Sequence, residues 1–262
     1  MTKGVVFSLV ALLFSNALAL FSLRSGSNAP RRSGSPRLPR LASTNTAEGG
    51  LILPKLCVLD LDMCVWSPEM YELSVLPTRE KVEMGPLFVG DQNSGSDVQG
   101  VVGARSGSYM IRLFPQARRV FQDYHAGRFP GMRLAAASSA DTPLAVGIGR
   151  AAMQLIEIVP GVTMEEVFLK GWEDDRNLQV GRTPPLSSEK WATHFPRLRD
   201  LTGIPYDKML FFDDSLWSDH CGIVERKCPG VVCQRTPHGL TAGEWQQGLK
   251  KFDEASRREA RS

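Results

Sequence analysis

The chain has 262 residues, which is enough for one medium-sized domain with a sizeable hydrophobic core. Its 42% hydrophobic and 23% charged residues are ordinary for a globular protein. Six of the 31 basic residues but one of the 28 acidic residues fall within residues 1–50, so the remainder carries 25 against 27 and is about neutral. This balance leaves no basic face and excludes nucleic acid as a partner.

The chain begins with a two-part leader. Residues 1–20 carry one lysine, an apolar run and small residues before position 20, which is the layout of a secretory signal peptide. Residues 21–48 are rich in serine, arginine and proline and are interpreted as a transit-like, disordered basic linker. In tandem the two parts predict import into a plastid; the alternative is secretion. The apolar run is short and interrupted, so the mature protein is expected not to be membrane-bound.

A globular domain is predicted over residues 50–255, and it opens with a strand. Residues 56–60 form a continuous apolar run, as in a central parallel strand that is buried on both faces. Residues 67–110, rich in glycine, serine and aspartate, are interpreted as a loop or small hairpin insert that caps the active face. A helix over 115–127 and a strand over 132–139 follow.

A second helix is predicted over 142–158, with Pro143 in its first turn. Residues 159–186 are expected to hold one or two short strands. A third helix is predicted over 187–203, with a kink at Pro196 and with its apolar face formed by Trp191, Phe195, Leu198 and Leu201.

Strands over 208–215 and 230–236 complete the alternation of strand and helix. This order predicts an α/β fold, a doubly wound and mostly parallel sheet of Rossmann-like type with a small cap insert. In such sheets the chemistry lies at the carboxyl ends of the strands.

The pattern of the five cysteines indicates neither a disulfide framework nor a metal site. Their number is odd, their spacing is irregular and no C-x-x-C pair occurs. A disulfide framework and a structural zinc site are therefore not expected. We expect reduced, mostly buried thiols instead.

Acidic residues follow two of the predicted strands. Asp60 and Asp62 are two apart, so in extended backbone both point to the same side. Asp213 and Asp214 follow the strand that begins near residue 208. Four carboxylates at one sheet edge would repel one another without a cation, and a hard divalent ion such as Mg²⁺ suits oxygen ligands.

Three more side chains fit this edge. Ser138 and Ser139 end the intervening strand, and Lys190 is predicted to open a helix. A cation is disfavoured at a helix N-terminus, so a lysine there indicates that an anion lies nearby.

The ordered set "DLDMCV", "LAAAS", a lysine and "FFDDS" resembles the four motifs of the haloacid dehalogenase-like (HAD) phosphohydrolases. The further runs "THF", "TGIP" and "LTAGEWQQGL" resemble the magnesium-dependent phosphatase family within that superfamily. The resemblance covers most of residues 53–250.

The resemblance implies a role for each matched position. Asp60 corresponds to the nucleophile that becomes an aspartyl phosphate, and Asp62 to the general acid and base. Mg²⁺ would be held by Asp60, the backbone carbonyl of Asp62, and Asp214, with Asp213 supporting it. The substrate-binding positions are Leu61, Asp62, Ser138, Ser139 and Lys190.

Two positions depart from the family pattern. Cys64 replaces the usual threonine of the first motif and is expected to be a small buried residue rather than a nucleophile. Ser139 replaces an arginine that often binds substrate, which leaves the substrate open. Lys170 competes with Lys190 for the lysine motif, and Lys190 is preferred because "THFPRL" follows it.

The predicted activity is hydrolysis of phosphate monoesters of the protein phosphotyrosine or phosphosugar type by a monomer. The alternative is a non-catalytic pseudophosphatase that binds a metal or a phosphorylated partner. Phosphotransfer and dehalogenation remain further readings, and dehalogenation does not need the acidic pair.

Overall fold

The computed structural model describes residues 50–87 and 98–261. The described residues belong to one compact unit. The predicted signal peptide and transit-like linker lie outside them, as does part of the insert. Between residue 50 and residue 261, no described helix is both long enough and apolar enough to cross a membrane.

Strands and helices alternate along the described chain. The strands are β1 (Leu56–Leu59), β2 (Trp66–Ser67), β3 (Val82–Pro86), β4 (Gln99–Ser106), β5 (Tyr109–Leu113), β6 (Arg133–Ser138), β7 (Glu157–Val159), β8 (Val162–Thr163), β9 (Leu178–Val180), β10 (Met209–Asp213) and β11 (Val232–Arg235). The helices are α1 (Pro115–His125), α2 (Pro143–Leu155), α3 (Met164–Leu169), α4 (His194–Thr202), α5 (His220–Lys227) and α6 (Ala242–Glu259).

The central sheet has five strands in the order β11-β10-β1-β6-β9, and all its pairs are parallel. The predicted α/β class with a mostly parallel sheet is therefore confirmed. β1 lies in the middle, and its partners β10 and β6 carry the other predicted motifs. Because parallel strands end at the same edge, this order brings the acidic and serine motifs together.

The central sheet separates two hydrophobic cores, and the side chains of β1 alternate between them. Cys57 and Leu59 belong to one hydrophobic cluster, whereas Leu56 and Val58 belong to the other. All four are fully buried, as alternation in a strand covered on both faces requires. Helices α4 and α5 contribute to the second cluster, and the remaining helices to the first.

The insert is larger than a small hairpin. β3, β4 and β5 form an antiparallel meander that joins β2 in a four-stranded sheet, so regular structure continues to Leu113. The Val101 amide donates to the Glu157 carboxylate at 2.9 Å, which ties the insert to β7. The glycines and serines scattered through residues 67–110 interrupt a regular alternation of apolar and polar residues, so the sequence gave little signal for these strands.

The helix predicted over 187–203 is wrong at its N-terminal end. α4 begins at His194, and residues 187–193 form turns in which the Ser187 amide donates to Thr193 Oγ1 at 3.1 Å. Leu201 is 38% exposed rather than buried. Pro196 falls in the first turn of α4, where proline is tolerated, so no kink is needed.

Three helices of the described chain were not assigned from the sequence. α3 is a six-residue helix inside the region expected to hold only short strands, and Thr163 and Glu166 close its first turn as a capping box. α5 follows Asp219, whose side chain accepts from the Gly222 amide. α3 and α5 are short, so local caps rather than a long periodic pattern define them. α6 is longer, with 18 residues, and it also begins with a capping box.

Candidate active site

The carboxyl edge of the sheet opens into a cavity of about 630 Å³. Most of the predicted site residues line it, namely Asp60, Asp62, Ser138, Ser139, Lys190 and Asp214. Asp213 is fully buried beneath this surface. The structure thus brings together side chains from β1, β6, β10 and the turn before α4.

Leu61, predicted as a substrate-binding position, does not offer its side chain to the cavity. Its side chain is 1% exposed and packs in the hydrophobic core, and it does not line the cavity. In extended backbone it must point away from the side taken by Asp60 and Asp62. Its carbonyl accepts from the amides of Val65 and Trp66, at 2.8 and 3.2 Å.

Three carboxylates form a tight acidic group. One oxygen from each of Asp60, Asp213 and Asp214 lies within 4.8 Å of the others. All three residues are buried. Burial, together with the neighbouring carboxylates, raises the pKa of Asp60 well above its usual value and that of Asp214 to about 6.

Lys190 supplies the positive charge inside this group. Its Nζ lies 2.9 Å from Asp60 Oδ1 and 2.6 Å from Asp213 Oδ2, and its side chain is 1% exposed. Burial alone would lower the pKa of Lys190, but Asp213 and Asp60 outweigh it and raise the pKa. Lys190 sits in a turn before α4, so the prediction that it opens a helix is wrong, although its place beside the acids agrees with its predicted role.

Asp213 is held rigidly from the other side. The Ser215 amide and hydroxyl both donate to Asp213 Oδ1, at 2.7 and 3.1 Å. Ser215 has a φ of 54°, in the left-handed region that non-glycine residues rarely adopt. Such strain concentrates at functional sites, where the surrounding structure holds it in place.

Asp62 is oriented by a turn that follows β1. Trp66 Nε1 donates to Asp62 Oδ1 at 2.7 Å, and the Met70 amide donates to Oδ2 at 3.1 Å. Met63, inside the turn, has a φ of 55°. Burial raises the pKa of Asp62 to about 6, although these two bonds oppose the rise. A carboxyl group with this pKa can donate or accept a proton near neutral pH.

A buried histidine holds the backbone at the end of β6, where Ser138 and Ser139 lie. His194 Nε2 lies 3.1 Å from the Ser138 carbonyl oxygen and 3.0 Å from that of Gly181, so this nitrogen carries the proton and donates. Burial, then Lys190, lowers the pKa of His194 to about 4. His194 is therefore neutral, and its two hydrogen bonds position the end of β6.

Other sequence candidates lie away from the chemistry. Lys170 is exposed and its Nζ donates to the His125 carbonyl at 2.6 Å, which supports the preference for Lys190. Asp219, although it follows the acidic pair closely in the chain, caps α5 and pairs with Arg235. Cys64 is fully buried, and all five cysteines are free and buried, as predicted.

Sequence reasoning missed several residues that orient or border the site. Trp66 is fully buried and donates to Asp62, and its position four residues after Asp62 was the one sequence signal for this hydrogen bond. Glu69, Tyr71 and Trp217 line the mouth; the first two lie at a short 3-10 helix (Met70–Glu72), and Trp217 lies in a loop far along the chain. No local pattern links these two regions.

The chain matches a known protein family over most of its length. A model of the Acid Phosphatase family matches residues 52–255. The chain is also 29% identical over 203 residues to human Magnesium-dependent phosphatase 1, a match that covers 78% of this chain and 89% of the human protein. Both findings agree with the resemblance predicted from the motifs.

Two solved structures are distantly similar. One is the N-terminal part of BF1531 from Bacteroides fragilis, containing a phosphatase domain complexed with Mg, with 13% identity and a TM-score of 0.43 over 77% of this chain and 40% of that chain. The other is CbbY from Rhodobacter sphaeroides in complex with phosphate, with 15% identity and a TM-score of 0.37 over 73% of this chain and 92% of that one.

Proposed function

This chain belongs to the Acid Phosphatase family, and we propose that it is a Mg²⁺-dependent phosphatase that hydrolyses phosphate monoesters through an aspartyl phosphate. One observation carries the proposal: Asp60 lines the cavity together with Asp62, and the Lys190 ammonium and two further carboxylates lie next to the Asp60 carboxylate. Phosphoryl transfer needs positioning and charge neutralisation above all, and this edge of the sheet supplies both.

In the first step, a carboxylate oxygen of Asp60 attacks phosphorus and the bond between phosphorus and the ester oxygen breaks. Asp62 donates its proton to the departing oxygen, so the alcohol leaves neutral. The raised pKa of Asp62, about 6, suits this role. Trp66 and Met70 hold both oxygens of Asp62, which fixes the direction in which the proton is delivered.

In the second step, Asp62 accepts a proton from a water molecule, and the resulting hydroxide attacks phosphorus. The bond between phosphorus and Asp60 breaks, which releases inorganic phosphate and restores both carboxyl groups. Ser138 and Ser139 line the cavity and are proposed to donate hydrogen bonds to the phosphoryl oxygens. Lys190 balances the negative charge of the Asp60 carboxylate before the first step and after the second.

The acidic group fits a magnesium ion. Carboxylate oxygens of Asp60, Asp213 and Asp214 converge within 4.8 Å, and one lysine does not balance three buried carboxylates. Asp60, Asp214 and the Asp62 carbonyl would hold Mg²⁺, with Asp213 in support; Lys190 and Ser215 already occupy both oxygens of Asp213. When bound, Mg²⁺ would neutralise charge on the phosphoryl oxygens. The name of the human relative supports this choice of ion.

The proposed substrates are esters of the phosphotyrosine or phosphosugar type. The cavity of about 630 Å³ has room for a phosphoryl group together with one ring-sized group. Of the described residues in the 67–110 insert, Glu69 and Tyr71 line the cavity. The site is therefore not enclosed by the described strands of the insert, which suits phosphate carried on a sizeable molecule.

The test is hydrolysis of an aryl phosphate by the purified protein with and without Mg²⁺. We expect activity that requires the metal and that falls at least about 10³-fold in Asp60→Asn, since an amide is not a nucleophile here. Asp200→Asn, a change at an exposed aspartate outside the cavity, is the matched control. A folded protein that binds Mg²⁺ but hydrolyses no ester would favour the pseudophosphatase, which Cys64 and Ser139 suggest.

For residues 1–48 we propose a plastid leader, with secretion as the alternative. The support is their composition, an apolar segment followed by a Ser-, Arg- and Pro-rich segment. A fluorescent protein fused behind residues 1–48 should enter plastids. Accumulation outside the cell would rule out the plastid assignment.

A further inference from the structure

The mouth of the cavity carries an aromatic corner, which we call the aromatic rim and define as Tyr71, Trp217 and Glu69. The Tyr71 and Trp217 rings meet edge to face, with centroids 6.3 Å apart and an interplanar angle of 76°. Trp217 Nε1 donates to Glu69 Oε1 at 2.7 Å, which fixes the orientation of the indole. All three side chains line the cavity that contains Asp60.

The rim exposes more aromatic surface than packing explains. Trp217 is 77% exposed and Tyr71 is 48% exposed. By contrast, Trp66, which donates to Asp62, is fully buried, and Trp191, which also lines the cavity, is partly buried. A tryptophan whose polar N–H is satisfied while its face stays open is arranged for contact with a ligand rather than for the core.

The rim is also acidic and close to the reacting groups. Glu69 lines the same cavity as Asp60, Asp62 and Asp214. Asp141 and Glu189 line the same cavity, and Arg182, which also lines it, has its guanidinium 3.5 Å from the Asp141 carboxylate. A second anionic group on the substrate would therefore meet net negative charge.

We propose that the aromatic rim is a subsite for an organic cation, so that the preferred substrates are phosphate monoesters whose alcohol part carries an ammonium group. The proposal rests on the proposed phosphatase function and adds the class of leaving group. Aromatic faces attract a cation through their electron-rich π-systems, and a carboxylate beside them adds direct charge attraction. Phosphate itself is accommodated separately, by Lys190 and the metal site.

The test compares two esters of nearly equal shape. Phosphocholine carries a trimethylammonium group, and 3,3-dimethylbutyl phosphate carries the neutral tert-butyl group in its place. For the unmodified protein with Mg²⁺ we expect kcat/KM to be about 5- to 30-fold higher for phosphocholine, the range that cation–π contacts give between exposed and desolvated sites. Equal values, or a preference for the neutral ester, would overturn the proposal.

Two variants separate the parts of the rim. Trp217→Leu removes the aromatic face, and Glu69→Gln removes the charge while keeping an acceptor for the indole N–H. Each should bring the ratio of the two esters to below about threefold, because kcat/KM falls more for phosphocholine than for the neutral ester. Tyr109→Leu changes an equally exposed tyrosine outside the cavity and should leave the ratio intact. A ratio that survives in both rim variants would refute the subsite.

Failure of the subsite can be told apart from failure of the proposed function. An aryl phosphate that is hydrolysed while the two esters react equally contradicts only the subsite. If no ester is hydrolysed, titration calorimetry on Asp60→Asn with Mg²⁺ decides the matter. Tighter binding of phosphocholine than of its neutral counterpart supports the subsite, and equal or weaker binding overturns it.

Discussion

Replacing Lys190 with methionine should destabilise the fold, and by an amount that depends on pH. Methionine keeps the length of the side chain but removes the charge that faces Asp60 and Asp213 at 2.9 and 2.6 Å. Removing one partner of a fully buried ion pair costs about 3–5 kcal/mol, because the remaining charge is left without compensation. For a domain of this size such a loss lowers Tm by roughly 6–20 °C.

The pH dependence follows from the carboxylates that remain. The folded-state pKa of Asp60 is already raised, and loss of Lys190 raises it further. A carboxyl group with a raised folded-state pKa favours the fold below its unfolded pKa, near 3.9, and this contribution is lost as pH rises through the folded pKa. The penalty of Lys190→Met should therefore be largest at neutral pH and fall to below about half near pH 4.

Urea unfolding of both proteins at pH 7.5 and pH 4 would measure this difference. Lys170→Met is the matched control, because Lys170 is exposed and bonds to one backbone carbonyl, and its effect should stay within about 0.5 kcal/mol. A loss below about 1 kcal/mol at pH 7.5, or the same loss at both pH values, would refute the account of Lys190 as the counter-charge of buried carboxylates.

Three further predictions concern the neighbours of these acids. Trp66→Phe removes the donor to Asp62 Oδ1 and so raises the pKa of Asp62. The alkaline limb of the pH profile of kcat/KM should therefore move up by about one pH unit. If that limb does not move, Trp66 serves packing alone. His194 has a pKa lowered to about 4, so stability should be lost as pH falls from 6.5 toward 4, by up to about 3 kcal/mol. Unfolding curves of His194→Gln should lack this slope, and a parallel fall in both proteins would contradict it. Mg²⁺ should stabilise the fold by about 2.7 kcal/mol at a hundred times its Kd, and Asp214→Asn should abolish the gain in thermal melts at constant ionic strength.

The sheet and its acidic edge could be predicted because their signals are local. β1, β6, β10 and β11 are short apolar runs, each found within three residues of its predicted ends. Parallel strands end together, so the strand assignment also predicted that Asp60, Ser138 and Asp214 would meet.

The turn around Lys190 could not be predicted because its causes are not local. Trp191, Phe195 and Leu198 have helical spacing, which favoured a longer helix than α4. In the structure two carboxylates from β1 and β10 hold the Lys190 ammonium inside the site, and hydrogen bonds between Ser187 and Thr193 shape the backbone around it. A charge satisfied across the sheet outweighs a local periodic pattern.

The mouth of the site lay beyond sequence reasoning for a related reason. Trp217 and Glu69 are separated by 148 positions, and each comes from a loop. Neither residue belongs to a periodic pattern or a matched motif. Their pairing depends on how far each loop extends from the sheet, which the strand assignment does not determine.

The exposure of Trp217 gives the protein an optical property. The chain has five tryptophans, and all lie in the described residues. Trp66 and Trp245 are buried, Trp172 and Trp191 are partly buried, and Trp217 is 77% exposed on the cavity mouth. A neutral quencher such as acrylamide should therefore act mainly on the emission of this one indole, whereas the acidic mouth repels an anionic quencher. Shielding from acrylamide would report occupation of the cavity in real time, without a chromogenic ester or an attached dye.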